Sequence, residues 1–287
     1  MNTGDLLADL LLECGVDTLF AVPGGQVVAL LDAAYRRAPR MRLVTMRDER
    51  STAFAADAWA RLTRRIGVCV ATVGPGTVKL PSGLLESYNA SVPILAIVSD
   101  VNRDWYPLVY RGAATQAMDQ EALLRPLTKR VARLNTPAQL AEVLATLLRA
   151  ATTGRPGPVA LIVPHDVFDA PVPEGVSRRA PVEWGRFPAA PTAPAPDAVA
   201  RAAALLVGAQ RPALVAGGGA LLAGAEEEVR QLAELLAMPV ATTFTGRGVI
   251  ADAHPLAVGL LGNIGTTSAR RAVEAADVVL LVGFKSA

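Results

Sequence analysis

The sequence predicts an α/β protein of two domains, each with a mostly parallel sheet flanked by helices. Three observations carry this expectation. Short apolar runs alternate with amphipathic runs, the pattern of successive βαβ units. A Pro-rich stretch separates a longer first part from a shorter second part. The 287 residues are 52% apolar and 19% charged. That is chain and apolar content enough for roughly two cores of ordinary size.

In the first part, Thr18–Val22 reads as a buried strand and Gly25–Arg37 as a helix. Met41–Thr45 is a second strand, followed by an alanine-rich helix over about Glu49–Arg61. Ile66–Val73 is a third strand, with a helix after Gly76, and Pro93–Ser99 is a fourth. Asp100 to about Glu121 is a long irregular stretch with charges and aromatics. Leu127–Arg133 is extended or loop-like, Pro137–Ala151 has helical periodicity, and Pro158–Val163 is a fifth strand.

Pro171, Pro173, Pro181, Pro188, Pro191, Pro194 and Pro196 then rule out a regular helix or central strand. The expected division is a domain over residues 1–170, a linker over 171–196 and a second domain over 197–287. In the second, Asp197–Val207 is a helix with Asp197 placed to cap its first amides. Pro212–Ala216 is a strand, Ala225–Leu236 a helix, Pro239–Thr242 a strand, Ser268–Ala276 a helix and Val278–Val282 a strand. The last strand is followed by Gly283-Phe284-Lys285-Ser286-Ala287, with no helix to cover it, so this domain is expected to be incomplete at its C-terminal end.

Several classes of function are not supported. The net charge is +2, with no Lys/Arg block, so nucleic acid is not an expected partner. No run of about 18 apolar residues suggests a membrane span, and the start has no signal-peptide pattern. The expected location is the cytoplasm. Cys14 and Cys69 read as buried free thiols. His165 and His254 are not spaced as a metal pair, and no metal site is expected on this chain.

Three strand ends carry candidate chemistry. Phe20-Ala21-Val22-Pro23-Gly24-Gly25 leads from a strand through glycines into a helix, which suits either a flat ligand or a plain tight turn. Glu49 stands where the second strand hands over to a helix. There it is either a ligand group at a carboxyl strand end or a first-turn acid favoured by the helix dipole. Thr72-Val73-Gly74-Pro75-Gly76-Thr77 is again strand, glycine turn and helix, a ligand platform or a rigid turn.

Together, in this order and spacing, these features resemble the pyrimidine-binding domain of the thiamine-diphosphate enzymes. The likeness is to the acetolactate synthase, benzaldehyde lyase and benzoylformate decarboxylase group. Ser91-Val92-Pro93-Ile94, Gln116, Leu124-Arg125-Pro126-Leu127-Thr128-Lys129 and Gly154-Arg155-Pro156-Gly157-Pro158-Val159 with Pro164 extend it. It runs from about Asp5 to Phe284. Gly217-Gly218-Gly219 fits only part of G-x-G-x-x-G, since position 222 is Leu and no acid ends the next strand. A bound dinucleotide is not expected. That region, with Gly262–Thr266, resembles the family's middle domain, and FAD is not expected in it.

The resemblance implies that Glu49 hydrogen-bonds N1′ of the cofactor's aminopyrimidine and favours the imino tautomer, whose N4′ takes the thiazolium C2 proton. Such a carboxyl must hold or share a proton, which burial against apolar Ala53, Phe54 and Ala56 would encourage. Arg47 and Arg50 are expected to point elsewhere. Pro23, Gly24, Gly25, Thr72, Gly74, Pro75 and Gly76 would line the pyrimidine pocket, and Gln116 would reach the reacting carbon. The implied reaction is decarboxylation of a 2-oxo acid with acyl or aldehyde transfer. Simple decarboxylation and a non-catalytic scaffold are the alternatives.

There are departures from the family pattern. Asp48 replaces the usual His, Lys79 the usual Asn, and Ala117 the acid that often follows the loop Gln. Lys79 could repel a thiazolium, bind an acidic substrate or face solvent. No Gly-Asp-Gly occurs in these residues. The expectation is therefore a split enzyme, in which a second polypeptide holds the diphosphate and Mg²⁺ and this chain self-associates through its pyrimidine domain. A truncated sequence is the competing expectation.

Overall fold

The computed structural model describes residues 1–109, 111–177 and 182–285. The chain divides into two compact units, Met1–Ala190 and Pro191–Ala287. The division falls inside the Pro-rich stretch, of which Pro181 lies outside the described residues. Pro171 bridges to Asn2, and Arg186 to Arg65, so the described residues up to there belong with the first unit.

The first unit is a six-stranded sheet of order β2-β1-β3-β4-β6-β5. Its strands are β1 (Thr18–Ala21), β2 (Arg42–Thr45), β3 (Gly67–Ala71), β4 (Ile94–Asp100), β5 (Arg130–Arg133) and β6 (Val159–Pro164). Every pairing is parallel. β3, β4 and β6 are buried at every position. Parallel strands covered on both faces by crossover helices need continuous apolar runs, which is why these three were legible. Cys14 and Cys69 are both buried and outside any disulfide, and burial pushes the Cys69 thiol up to about 12.

Two apolar layers sandwich the sheet. On one side Leu6, Leu10 and Leu11 of helix Thr3–Glu13 pack with Leu144 and Leu148 of helix Leu140–Thr152. On the other, Ala53 and Ala56 of helix Glu49–Thr63 pack with Leu84 of helix Pro81–Ala90. Each buried leucine contributes about 1.5–3 kcal/mol relative to exposure. Helix Thr3–Glu13 was not anticipated, although it carries a readable start. Asn2 accepts from the Asp5 amide at 2.9 Å, and the Asp5 carboxylate accepts from the Asn2 amide at 3.1 Å. β5 was expected only as extended or loop-like. It is an edge strand with half-exposed side chains, so it lacks a buried apolar run.

The second unit is a four-stranded parallel sheet of order β10-β7-β8-β9, from β7 (Pro212–Ala216), β8 (Val240–Thr242), β9 (Ala257–Leu260) and β10 (Val278–Val282). β9 was missed because Gly259, at φ +96°, breaks its apolar run beside a register shift in the pairing with β8. Asp197 is not the cap of its helix. The helix starts at Pro196, whose fixed φ suits the first position, and Asp197 in the first turn pairs with Arg201 at 2.8 Å. No helix among the described residues is long and apolar enough to cross a membrane.

β1 leads to β2 on one side, and the chain then returns to β3 on the other. The crevice outside the carboxyl ends of β1 and β3 is therefore the topological switch point, where ligands of open α/β sheets collect. The helix that carries Glu49 is held over this crevice by a close approach. A Cβ on Gly67 would come within 2.0 Å of the Ala56 carbonyl oxygen. Gly67→Ala is expected to lower stability by about 1–3 kcal/mol, read as a lower urea midpoint at unchanged slope.

Candidate active site at the carboxyl edge of the first sheet

Glu49 is the first residue of helix Glu49–Thr63. Asp48 caps that helix, its carboxylate accepting from the Arg50 amide at 2.9 Å. The Thr52 hydroxyl donates to the Glu49 carbonyl at 2.6 Å and closes the first turn. Cap and turn together fix the direction in which the Glu49 side chain leaves the backbone.

The side chain runs inward and the residue is only 7% exposed. Its Oε1 lies over Gly76, where an added Cβ would stand 3.1 Å from that oxygen and 2.9 Å from Thr72 Cγ2. Among the described residues no hydrogen bond reaches Oε1. Oε2 lies 3.2 Å from Lys79 Nζ, which is also 3.3 Å from Asp48 Oδ2. Lys79 thus does not face solvent alone. Hydrogen bonds to Glu49 first, then to Asp48, hold its ammonium above the ordinary lysine range. Arg47 and Arg50 are exposed, as expected.

The other predicted residues form a connected edge. Gly24 packs on Thr72, where a Cβ would come within 2.7 Å of the threonine's own. The end of β1 therefore touches the end of β3, and Thr72 cements the contact by donating to Gln26 Oε1 at 2.7 Å. Gly74 has φ +58°, and a Cβ there would lie 1.8 Å from the Gln116 carbonyl oxygen. This draws the long loop down onto the β3 turn. Gln116 is exposed, with φ +62°, and meets the site through its backbone. Pro23, Gly25 and Pro75 form the exposed rim, and Gly25 has open space around it.

Two expectations need correction. Ala53 and Ala56 do not supply an apolar face for a ligand. Both are fully buried, Ala53 against Gly83 and Ala56 against Gly67, while Phe54 is 43% exposed. Sequence reasoning also missed Gln120, which is wholly buried. Its Oε1 accepts from the Gly74 amide at 3.3 Å and from the Thr77 hydroxyl, and its Nε2 donates to the Ser99 carbonyl at 2.8 Å. Thr77 in turn donates to the Thr72 carbonyl at 2.9 Å. A polar residue in an irregular loop gives no local sign that it ties the ends of β3 and β4 together.

The larger cavity lies elsewhere on this edge. About 810 Å³ opens beneath the long loop, lined by Asp100, Tyr106, Met118, Asp119, Arg125 and Arg133 among others. Its cations are already paired, Arg133 with buried Asp100 and Arg125 with Glu121 at 2.6 Å. A recess of about 440 Å³ near the Lys79–Asp48 pair is lined by Asp48, Arg50, Val78, Lys79, Pro81 and Ser82.

In the second unit, Gly217-Gly218-Gly219 has a packing explanation. A Cβ on Gly217 would come within 2.2 Å of the Gly283 carbonyl oxygen, one on Gly218 within 2.8 Å of Thr245 Oγ1, and one on Gly219 within 2.8 Å of Gly283 Cα. Each glycine lets another backbone or side chain approach, with no ligand required.

Comparison with known proteins agrees with this geometry. Residues 1–123 match the N-terminal TPP-binding domain of thiamine pyrophosphate enzymes, and residues 199–286 match their central domain. A probable acetolactate synthase large subunit of Methanocaldococcus jannaschii is 36% identical over 277 residues, covering 94% of this chain and 44% of that protein. An acetolactate synthase of Arthrospira platensis is 36% identical, covering 97% and 48%. A probable acetolactate synthase large subunit of Methanococcus aeolicus is 34% identical, covering 99% and 46%. The chain thus spans about half the length of these curated relatives.

The Gln120 network sets a test of the site's architecture. Gln120→Leu leaves the Gly74 amide and the Ser99 carbonyl without this partner in a buried place. Stability is expected to fall by about 1–3 kcal/mol, seen as a reduced chemical-denaturation midpoint.

Proposed function

Because this chain belongs to the thiamine pyrophosphate enzymes and carries their N-terminal and central domains, we propose that it supplies the pyrimidine half of the active site of an acetolactate-synthase-like enzyme acting on a 2-oxo acid. The observation that carries this reading is the Glu49 carboxyl, nearly out of solvent, with one oxygen over the bare backbone of Gly76 at the sheet's switch point.

The residues suit a flat aromatic ring. Gly24 and Gly76 present bare backbone on either side of the Thr72 side chain. Glu49 Oε1 is a hydrogen-bonding group without a partner among the described residues, held by a capped helix start. Glu49 Oε1 would be the atom that hydrogen-bonds a ring nitrogen of a bound cofactor. Thiamine diphosphate, when bound, supplies the carbon nucleophile of the reaction. This chain's own tasks are to orient the ring, keep water from the carboxyl and hold a proton at the Glu49 oxygen.

Gln116, on the exposed loop above Gly74, is proposed to face the substrate. The cavity beneath that loop supports a share for residues 102–120 in recognising the 2-oxo acid. Decarboxylation followed by acyl or aldehyde transfer to a second carbonyl is the favoured reaction, in line with the acetolactate synthases that the chain is similar to.

The reading extends to a second polypeptide that holds the diphosphate and Mg²⁺. The purified chain would then consume no 2-oxo acid with thiamine diphosphate and Mg²⁺, and would gain activity on mixing with that partner. Turnover by the chain alone would refute the split. In the active assembly, Glu49→Gln is expected to lower kcat by at least about a hundredfold, measured as 2-oxo acid consumption. A scaffold role predicts unchanged turnover instead.

A further inference from the structure

Lys79 is the unabsorbed feature of this site. Its ammonium sits between two carboxylates of adjacent residues, 3.2 Å from Glu49 Oε2 and 3.3 Å from Asp48 Oδ2. The two partners differ. The Glu49 side chain is 9% exposed and that of Asp48 31%, while the lysine side chain itself is half in solvent. Arg50 approaches the other oxygen of Asp48, at 3.6 Å, and its side chain is 65% exposed. Lys79 is therefore the cation that compensates the buried carboxylate.

We infer that Lys79 is a positioning residue that competes with a pyrimidine nitrogen for the Glu49 carboxyl, and that Asp48 receives its ammonium when Glu49 is engaged by the ring. The inference rests on the reading of Glu49 proposed above. The hand-over is short, because Asp48 already touches the ammonium and water lies beside it. Helix Pro75–Lys79 does not have to move, since a half-exposed lysine stem can turn about its own torsions. Once the ammonium has turned to Asp48, the Glu49 carboxyl is left to the ring nitrogen alone. Asp48 also remains the helix cap throughout, its Oδ1 accepting from Arg50 while Oδ2 takes the lysine.

The inference predicts opposite signs for two substitutions. Lys79→Met keeps the length of the side chain and removes the competitor, so the assembled enzyme should bind thiamine diphosphate more tightly, by up to about fivefold for so exposed a pair. Asp48→Asn keeps the cap, since Asn caps as well as Asp, but removes the anion that draws Lys79 away, and binding should weaken. Both are read as Kd by calorimetry at saturating Mg²⁺. The gap between Lys79→Met and the unsubstituted enzyme should narrow as salt is raised, because salt screens exposed charges. Weaker or unchanged binding by Lys79→Met overturns the inference. So does weakening by both variants together, which marks a merely structural role. Glu49→Gln separates the two levels. If it leaves cofactor binding and turnover untouched, the reading of Glu49 itself falls. If it impairs them while Lys79→Met gains nothing, only the role of Lys79 falls.

Discussion

The Glu49 carboxyl stands 3.1 Å from where a Cβ of residue 76 would be, and most of the site follows from that contact. Gly76 must be bare because Glu49 Oε1 and Thr72 Cγ2 both occupy its surroundings. Glu49 can reach it only because Asp48 caps the helix start and Gly67 lets that helix lie on β3. The acid is thus placed by backbone contacts, which resist deformation more than a side chain on a flexible loop would. A site of this kind keeps its geometry without a ligand, which lowers the ordering cost of binding.

Glycine serves different ends in the two units. At Gly24 the missing side chain admits Thr72, and at Gly76 it admits Thr72 and the Glu49 carboxyl, so both positions bring functional side chains close to a strand end. At Gly217 and Gly219 it admits the backbone of Gly283, and the space is filled by protein. A glycine run after a strand therefore carries little functional meaning until its neighbours are known. The same holds for charge. Lys79 beside a glycine turn reads as a ligand contact or a solvated side chain, yet it spans two acids that adjoin each other in sequence. The exposed Lys79–Asp48 contact contributes little stability. The effect of Lys79 falls on the buried Glu49 carboxyl that it touches through Oε2.

How much was legible depended on whether the signal was local. β3, β4 and β6 were readable because strands buried on both faces need unbroken apolar runs. β5, at an edge, and β9, broken by Gly259, lacked that signature. The start of helix Thr3–Glu13 was written in Asn2 and Asp5, which form a capping box, and it was overlooked. Glu49, Gly24, Thr72, Gly74 and Gly76 could be named because each stands at the end of a strand. Gln120 could not, since nothing near it in sequence shows that its amide binds Gly74, Thr77 and Ser99.

By itself the sequence determined the α/β class, the buried strands of the first unit with most of the helices between them, and the strand-end motifs from which the family resemblance was read. These depend on apolar periodicity and turn chemistry over a few residues. Only the tertiary structure decided the strand order that puts a switch point between β1 and β3, the burial of Gln120, the use of Ala53 and Ala56 as packing surface, and the placement of Lys79 against Glu49 and Asp48. Those depend on which distant segments meet, and contacts between distant segments leave no periodic trace in the chain that makes them.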